Sequence, residues 1–301
     1  MPLPNRIAVI FDCDGTLAED TTAWLLKKLG ANPDEVYARA GEMISHAWDP
    51  PLAYLNLILE ESRENGKLSQ FTLSKLAELA EESGETFYPG TANLFDRLRL
   101  AVHAEKKYRD IGIQVNCYII TGGIEEFIRL TNVGKTADEV WGSSFEYDEK
   151  GKPLSIKNSI SFTEKTRYIF CINKGFAGEA RKQPYIVNVD QPARETRDVP
   201  FCNMIYVGDG PSDIPAMSVV TQYHGSVIGI LGEKPRRTWE ISYGRRANFT
   251  IHPDYREGSL DYRNLENVVL EIADGIRKKW EFHIPRAPKY GLEGEKNGTE
   301  V

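Results

Sequence analysis

The chain has 301 residues, 41% of them hydrophobic and 27% charged, with a formal net charge of −7. That is the composition of an ordinary globular protein with length for one large or two modest domains. The acidic balance argues against the basic face of a nucleic-acid binder, and no apolar run approaches the roughly 18 residues that would span a bilayer. The four cysteines, Cys13, Cys117, Cys171 and Cys202, form no C-x-x-C pair, and three lie in or beside apolar runs, as small buried hydrophobes do. With no leader-like segment ahead of the first strand, the expectation is a cytoplasmic enzyme that binds neither membrane nor nucleic acid.

Residues 6–11 form an apolar run that reads as a strand buried on both faces. It is followed by Asp12-Cys13-Asp14-Gly15-Thr16. Residues 18–85 change character. Helices are predicted over 21–29, 33–47, 51–64 and 69–83, with Pro33 and Pro51 at positions where a first helical turn accepts proline. No strand interrupts them, so the segment is a helical insertion. After the turn at Tyr88-Pro89-Gly90, a helix is expected over 91–109 and a second core strand over 113–120. Thr121-Gly122-Gly123 then opens a helix over 124–130. Residues 140–162 alternate like strands around the turn Asp148-Glu149-Lys150-Gly151. A helix over 163–173 stops at Gly175. Residues 176–203 are polar, with three prolines, and read as a long loop or excursion. A third core strand at 203–207 ends in Gly208-Asp209-Gly210-Pro211-Ser212-Asp213, followed by a helix over 214–220 and a fourth strand at 226–231. A short helix at 238–243, a short strand at 247–252 and an amphipathic helix over 260–280 complete the ordered part. The tail from Pro285 is rich in Gly, Lys and Glu and is expected to be disordered.

Strands alternating with helices predict an α/β fold, a Rossmann-like parallel sheet with helices on both faces and an inserted helical domain. Open sheets of this kind collect ligands at the carboxyl ends of their strands. Asp12 and Asp14 stand at such an end. Buried charges persist only when paired or metal-bound, so a chemical role is the better reading of this pair. Side chains two apart on an extended segment point to opposite faces, so the chain must bend past the strand, and Gly15 permits the bend.

Four landmarks in order, DxDGT at 12–16, Thr-Gly-Gly at 121–123, a lysine near 165 and GDGPSD at 208–213, resemble the motifs of the haloacid dehalogenase-like superfamily of phosphohydrolases. The resemblance spans residues 6–231. The helical insertion resembles the C1-type cap of that superfamily, and the run from Thr121 to Lys165 is similar to its phosphoserine phosphatase branch. Two departures stand out: Thr21 or Thr22 occupies the place of that branch's glutamate, and the cap has no counterpart of its arginine motif. The resemblance implies a catalytic core of residues 1–18 and 86–284 with a cap of 19–85, and Mg²⁺-dependent hydrolysis of a small phosphomonoester through an aspartyl-phosphate. It implies Asp12 as nucleophile, Asp14 as general acid and base, and Thr121, Gly122 and Lys165 as phosphate-binding residues, with the Thr-Gly pair at a helix start. Mg²⁺ would be held by Asp12, the backbone carbonyl of Asp14 and Asp209, with Asp213 in support. For the lysine, Lys157 and Lys174 compete with Lys165. Phosphoryl transfer of the mutase type and a non-catalytic regulatory module are the alternative functions.

Overall fold

A computed structural model describes residues 3–189, 197–232 and 247–283. The strands are β1 (Arg6–Phe11), β2 (Gln114–Ile124), β3 (Glu139–Tyr147), β4 (Pro153–Asn158), β5 (Met204–Gly208), β6 (Ser226–Ile230) and β7 (Phe249–Ile251). They form one sheet in the order β4-β3-β2-β1-β5-β6-β7. All neighbours pair in parallel except β4, which lies antiparallel on β3 at the edge.

The helices are α1 (Thr21–Lys28), α2 (Pro33–Ser45), α3 (Pro50–Glu61), α4 (Leu73–Glu82), α5 (Leu94–Ala104), α6 (Lys106–Arg109), α7 (Glu125–Leu130), α8 (Asn132–Thr136), α9 (Glu164–Lys174), α10 (Ile214–Gln222) and α11 (Leu260–His283). Period-two burial explains why helices cover both faces of the sheet. Along β1, Ile7, Val9 and Phe11 enter one apolar cluster, while Ala8 and Ile10 enter the other. The second cluster is closed by Tyr168, Ile169 and Ile172 of α9 and by Met217 and Val220 of α10. The first takes α5 and α11, and extends without a break into Leu25, Leu55, Leu57 and Leu76 of the inserted helices α1, α3 and α4. Each such buried side chain contributes roughly 1.5–3 kcal/mol of hydrophobic free energy.

The inserted helices start where their capping side chains dictate. Asp20, Asn32, Asp49 and Thr72 each accept a first-turn amide of α1, α2, α3 and α4. Two expectations are corrected. The predicted helix over 91–109 is broken: a 3₁₀ turn (Thr91–Asn93) leads into α5, and extended backbone at Glu105 separates α5 from α6. The segment Thr121-Gly122-Gly123 belongs to β2, and the helix begins only at Glu125. Within 176–203, two short 3₁₀ turns appear (Pro184–Asn188 and Phe201–Asn203). The helix expected at 238–243 and the tail from Pro285 lie outside the described residues. Cys13, Cys117 and Cys171 are buried, whereas Cys202 is exposed. Among the described residues no helix is long and apolar enough to cross a membrane.

Candidate active site

The chain runs outward from β1 through β2 and β3 to β4, then returns to place β5 on the other side of β1. The β1–β5 crevice is therefore the switch point of the sheet, where open α/β folds leave room for a ligand beyond the strand ends. Asp12 follows β1 directly and its amide donates to the carbonyl of Val207 in β5 at 2.9 Å. Asp209 follows β5. Carboxylate oxygens of Asp12, Asp209 and Asp213 come within 4.8 Å of one another.

Lys165, in the first turn of α9, has its side chain wholly buried, with Nζ 3.0 Å from Asp12 Oδ1 and 2.7 Å from Asp213 Oδ1. Asp213 is fixed further: Tyr206 Oη donates to its Oδ1 at 2.6 Å and the Gly210 amide to its Oδ2 at 2.9 Å. The Cys13 amide donates to Asp12 Oδ1 at 2.8 Å. Two of the three carboxylates, Asp12 and Asp213, thus share one buried ammonium. Burial, then the charge of Asp213, raises the Asp12 carboxyl well above the usual range, with Lys165 opposing. Burial and Asp213 push Asp209 up to about 7. Lys165 moves the other way from a lone buried amine: burial lowers its pKa, but Asp12 and Asp213 outweigh it and hold the proton on.

Asp14 stands apart from this cluster. Its Oδ1 accepts from the amide of Thr21 at 2.8 Å and from Thr21 Oγ1 at 2.6 Å, at the start of α1. Burial, then the charge of Asp20, pushes its carboxyl up to about 6 despite those bonds. Gly15 makes the geometry possible twice over. Its φ is +77°, and a Cβ there would lie 2.2 Å from Asp209 Oδ2. Gly208 is constrained by space alone, since a Cβ would meet the Asp213 carboxylate at 2.6 Å.

Thr121 is buried near the end of β2, and its Oγ1 accepts from the Gly123 amide at 2.9 Å. The loop abuts Asp14: a Cβ on Gly123 would stand 3.0 Å from Asp14 Oδ2. Of the three lysines weighed from sequence, only Lys165 reaches the carboxylates. Lys157 pairs with Glu146 on the exposed β3–β4 hairpin, and Lys174 donates to the carbonyls of Val187 and Val189.

Residues 9–218 match the family model of the haloacid dehalogenase-like hydrolases. The chain belongs to that family. An uncharacterized protein of Borreliella burgdorferi is 28% identical to this haloacid dehalogenase-like hydrolase over 204 residues, covering 62% of this chain and 68% of the relative. Among solved structures, a haloacid dehalogenase family hydrolase of Salmonella enterica serovar Typhi superposes with a TM-score of 0.52 at 16% identity, over 84% of this chain and 69% of that one. A phosphoserine phosphatase bearing a phospho-aspartyl intermediate analogue gives 0.50 at 14% identity, over 88% and 99% of the two chains. At such identities the likeness is one of fold.

Several site residues were not legible from the sequence. Tyr206 lies inside an apolar strand and reads as core. Thr21 has no pattern of its own, although its place after the first motif marked it as a departure from the phosphoserine phosphatase branch. Tyr54 falls within the helix predicted over 51–64 with no mark of its own, yet its hydroxyl donates to the carbonyl of Gly122 at 2.5 Å.

Proposed function

We propose that this hydrolase is a Mg²⁺-dependent phosphatase acting on a small phosphomonoester through an aspartyl-phosphate on Asp12, with the inserted helices of residues 19–85 serving as a cap. The observation that carries the reading is the meeting of Lys165, Asp12, Asp209 and Asp213, from three distant stretches of the chain, at the β1–β5 switch point. The donor set suits a hard divalent cation: all the candidate side-chain ligands are carboxylate oxygens, and the raised proton affinities of Asp12 and Asp209 mark a cluster short of positive charge. Asp12, Asp209 and the backbone of Asp14 would hold the ion, with Asp213 in support. When bound, Mg²⁺ supplies charge neutralisation for an anionic ester that otherwise repels a carboxylate nucleophile.

Asp12, whose Oδ1 is held by Lys165 and the Cys13 amide, attacks phosphorus through one carboxylate oxygen while the other serves the ion. The bond from phosphorus to the ester oxygen breaks as Asp14 gives that oxygen its proton. Asp14 then takes a proton from the water that attacks the aspartyl-phosphate, and phosphate leaves with Asp12 restored. A carboxyl raised to about 6 is suited to both directions of transfer near neutral pH. Lys165 offsets the charge crowded between Asp12 and the phosphoryl group, and Thr121 and Gly122 hold its oxygens.

The test is hydrolysis of a generic aryl phosphate by the purified protein, followed by a screen of phosphorylated metabolites. Activity with Mg²⁺ that is abolished by EDTA and restored by Mg²⁺ is expected. Turnover indifferent to chelation would sink the metal assignment, and no turnover of any ester would sink the phosphatase reading.

A further inference from the structure

The stretch of β2 that carries Thr121 interrupts the pairing with β3. Pairing between β2 and β3 slips between Ile120, opposite Trp141, and Ile124, opposite Ser143, so four steps on one strand face two on the other. The intervening Gly122–Gly123 peptide has the widest backbone freedom of any sequence. It is fastened from both sides. Its N–H, from Gly123, donates to Thr121 Oγ1 at 2.9 Å. Its carbonyl, from Gly122, accepts from Tyr54 Oη at 2.5 Å.

Tyr54 comes from α3, 68 residues away, in the second turn of a helix started by Asp49 and packed against β4. Burial, then the negative charge of Asp14, raises the pKa of the phenol, which favours the protonated form that donates to Gly122. Its effect passes through the peptide. With Gly122 O pinned outward, Gly123 N–H must face Thr121. With that N–H on its oxygen, the Thr121 hydroxyl is left to donate its own proton elsewhere. A flipped peptide would bring the Gly122 carbonyl round toward the threonine and claim that proton.

We propose that Tyr54 is a positioning residue, supplied by the inserted helices, that sets the Thr121 hydroxyl to donate to the transferred phosphoryl group. The cradle is then complete only when α3 is seated on the loop. This rests on the phosphatase reading above.

The experiment compares full-length wild type, Tyr54→Phe, Thr121→Val and the double variant, each with Mg²⁺. The readouts are aryl phosphate kinetics across pH, the inhibition constant of inorganic phosphate, and melting temperature. Tyr54→Phe keeps the ring and loses one hydrogen bond. It is expected to weaken phosphate binding and lower kcat/KM by about tenfold, with an unmoved pH profile and little change in melting temperature. Because Tyr54 acts through Thr121, the double variant is expected to lose little more than Thr121→Val alone. Unchanged phosphate affinity in Tyr54→Phe, or losses that simply multiply in the double variant, would overturn the proposal. A fall in melting temperature with phosphate affinity intact would reduce Tyr54 to a packing residue and overturn it equally. If wild type itself neither cleaves aryl phosphate nor binds phosphate, the phosphatase reading fails and takes this inference with it.

Discussion

Asp12 and Lys165 illustrate how unequal two members of one ion pair can be. Asp12 is crowded by Asp213 and Asp209, and its ionised form is disfavoured where it sits. Replacing it by Asn removes a charge that the metal-free fold struggles to hold, while an amide oxygen can still accept from Lys165 and Cys13. Asp12→Asn is therefore expected to abolish turnover and to leave the melting temperature in EDTA unchanged or higher. Retained activity would refute the nucleophile assignment, and a large loss of stability would show that Asp12 is structural. Lys165 is the opposite case. Without it, Asp12 and Asp213 face each other in a buried site with no counter-charge, a loss of about 3–5 kcal/mol for a broken buried pair. Lys165→Ala is expected to lose both activity and stability, whereas Lys157→Ala breaks a solvated pair on an exposed hairpin and should change neither measurably. Denaturant titration and aryl phosphate kinetics on the two variants check this, and a silent Lys165→Ala would undo the assignment.

At the scale of one element, α7 holds two adjacent acids in contrasting states. Glu125 is buried but satisfied: it accepts from the Gly142 amide at 3.0 Å and pairs with Arg129 and Arg181. Glu126 accepts the Phe145 amide on Oε1, while its Oε2 is buried with no hydrogen bond among the described residues. Burial pushes its carboxyl from 4.5 to about 7. A folded-state pKa above the unfolded value means that the folded state binds more protons. The protonated form therefore favours folding below about pH 4.5, and that advantage is lost as pH rises through about 7. Glu126→Gln mimics the protonated side chain. It is expected to be more stable than wild type at pH 8, by on the order of 1–3 kcal/mol, with the gap closing below pH 5. Denaturant melts at the two pH values measure it, and a gap independent of pH would exclude titration of Glu126 as the cause. The same short helix shows where sequence reading stopped short. Thr-Gly-Gly before an apolar helix reads as a helix start, but β2 continues through it because the bulge against β3 absorbs the extra residues.

Across the whole molecule, the strand order turns local motifs into one site. Metal binding should register globally: a ligand that binds only the folded state stabilises it by about 2.7 kcal/mol at a hundredfold excess over its dissociation constant. Mg²⁺ is expected to raise the melting temperature of wild type and not of Asp12→Asn or Asp209→Asn, and an equal rise in all three would place the ion elsewhere. The continuous apolar run of β1, the glycine-rich turns after the strands and the order of the motifs were legible in the sequence, because each is a short-range pattern. They were enough to predict the α/β sheet with helices on both faces, and the resemblance they carry led to the family. Lys165 is favoured in the sequence because it begins a helix ahead of the fourth-motif strand, but Lys157 and Lys174 stay open as rivals, and nothing local marks Tyr206, Thr21 or Tyr54 as site residues. Those choices depend on which side chains meet across 48 residues, as Lys165 and Asp213 do, or 68, as Tyr54 and Gly122 do. Only the tertiary structure decides them, because the cost of burying an unpaired charge or hydroxyl is settled by what folding brings beside it.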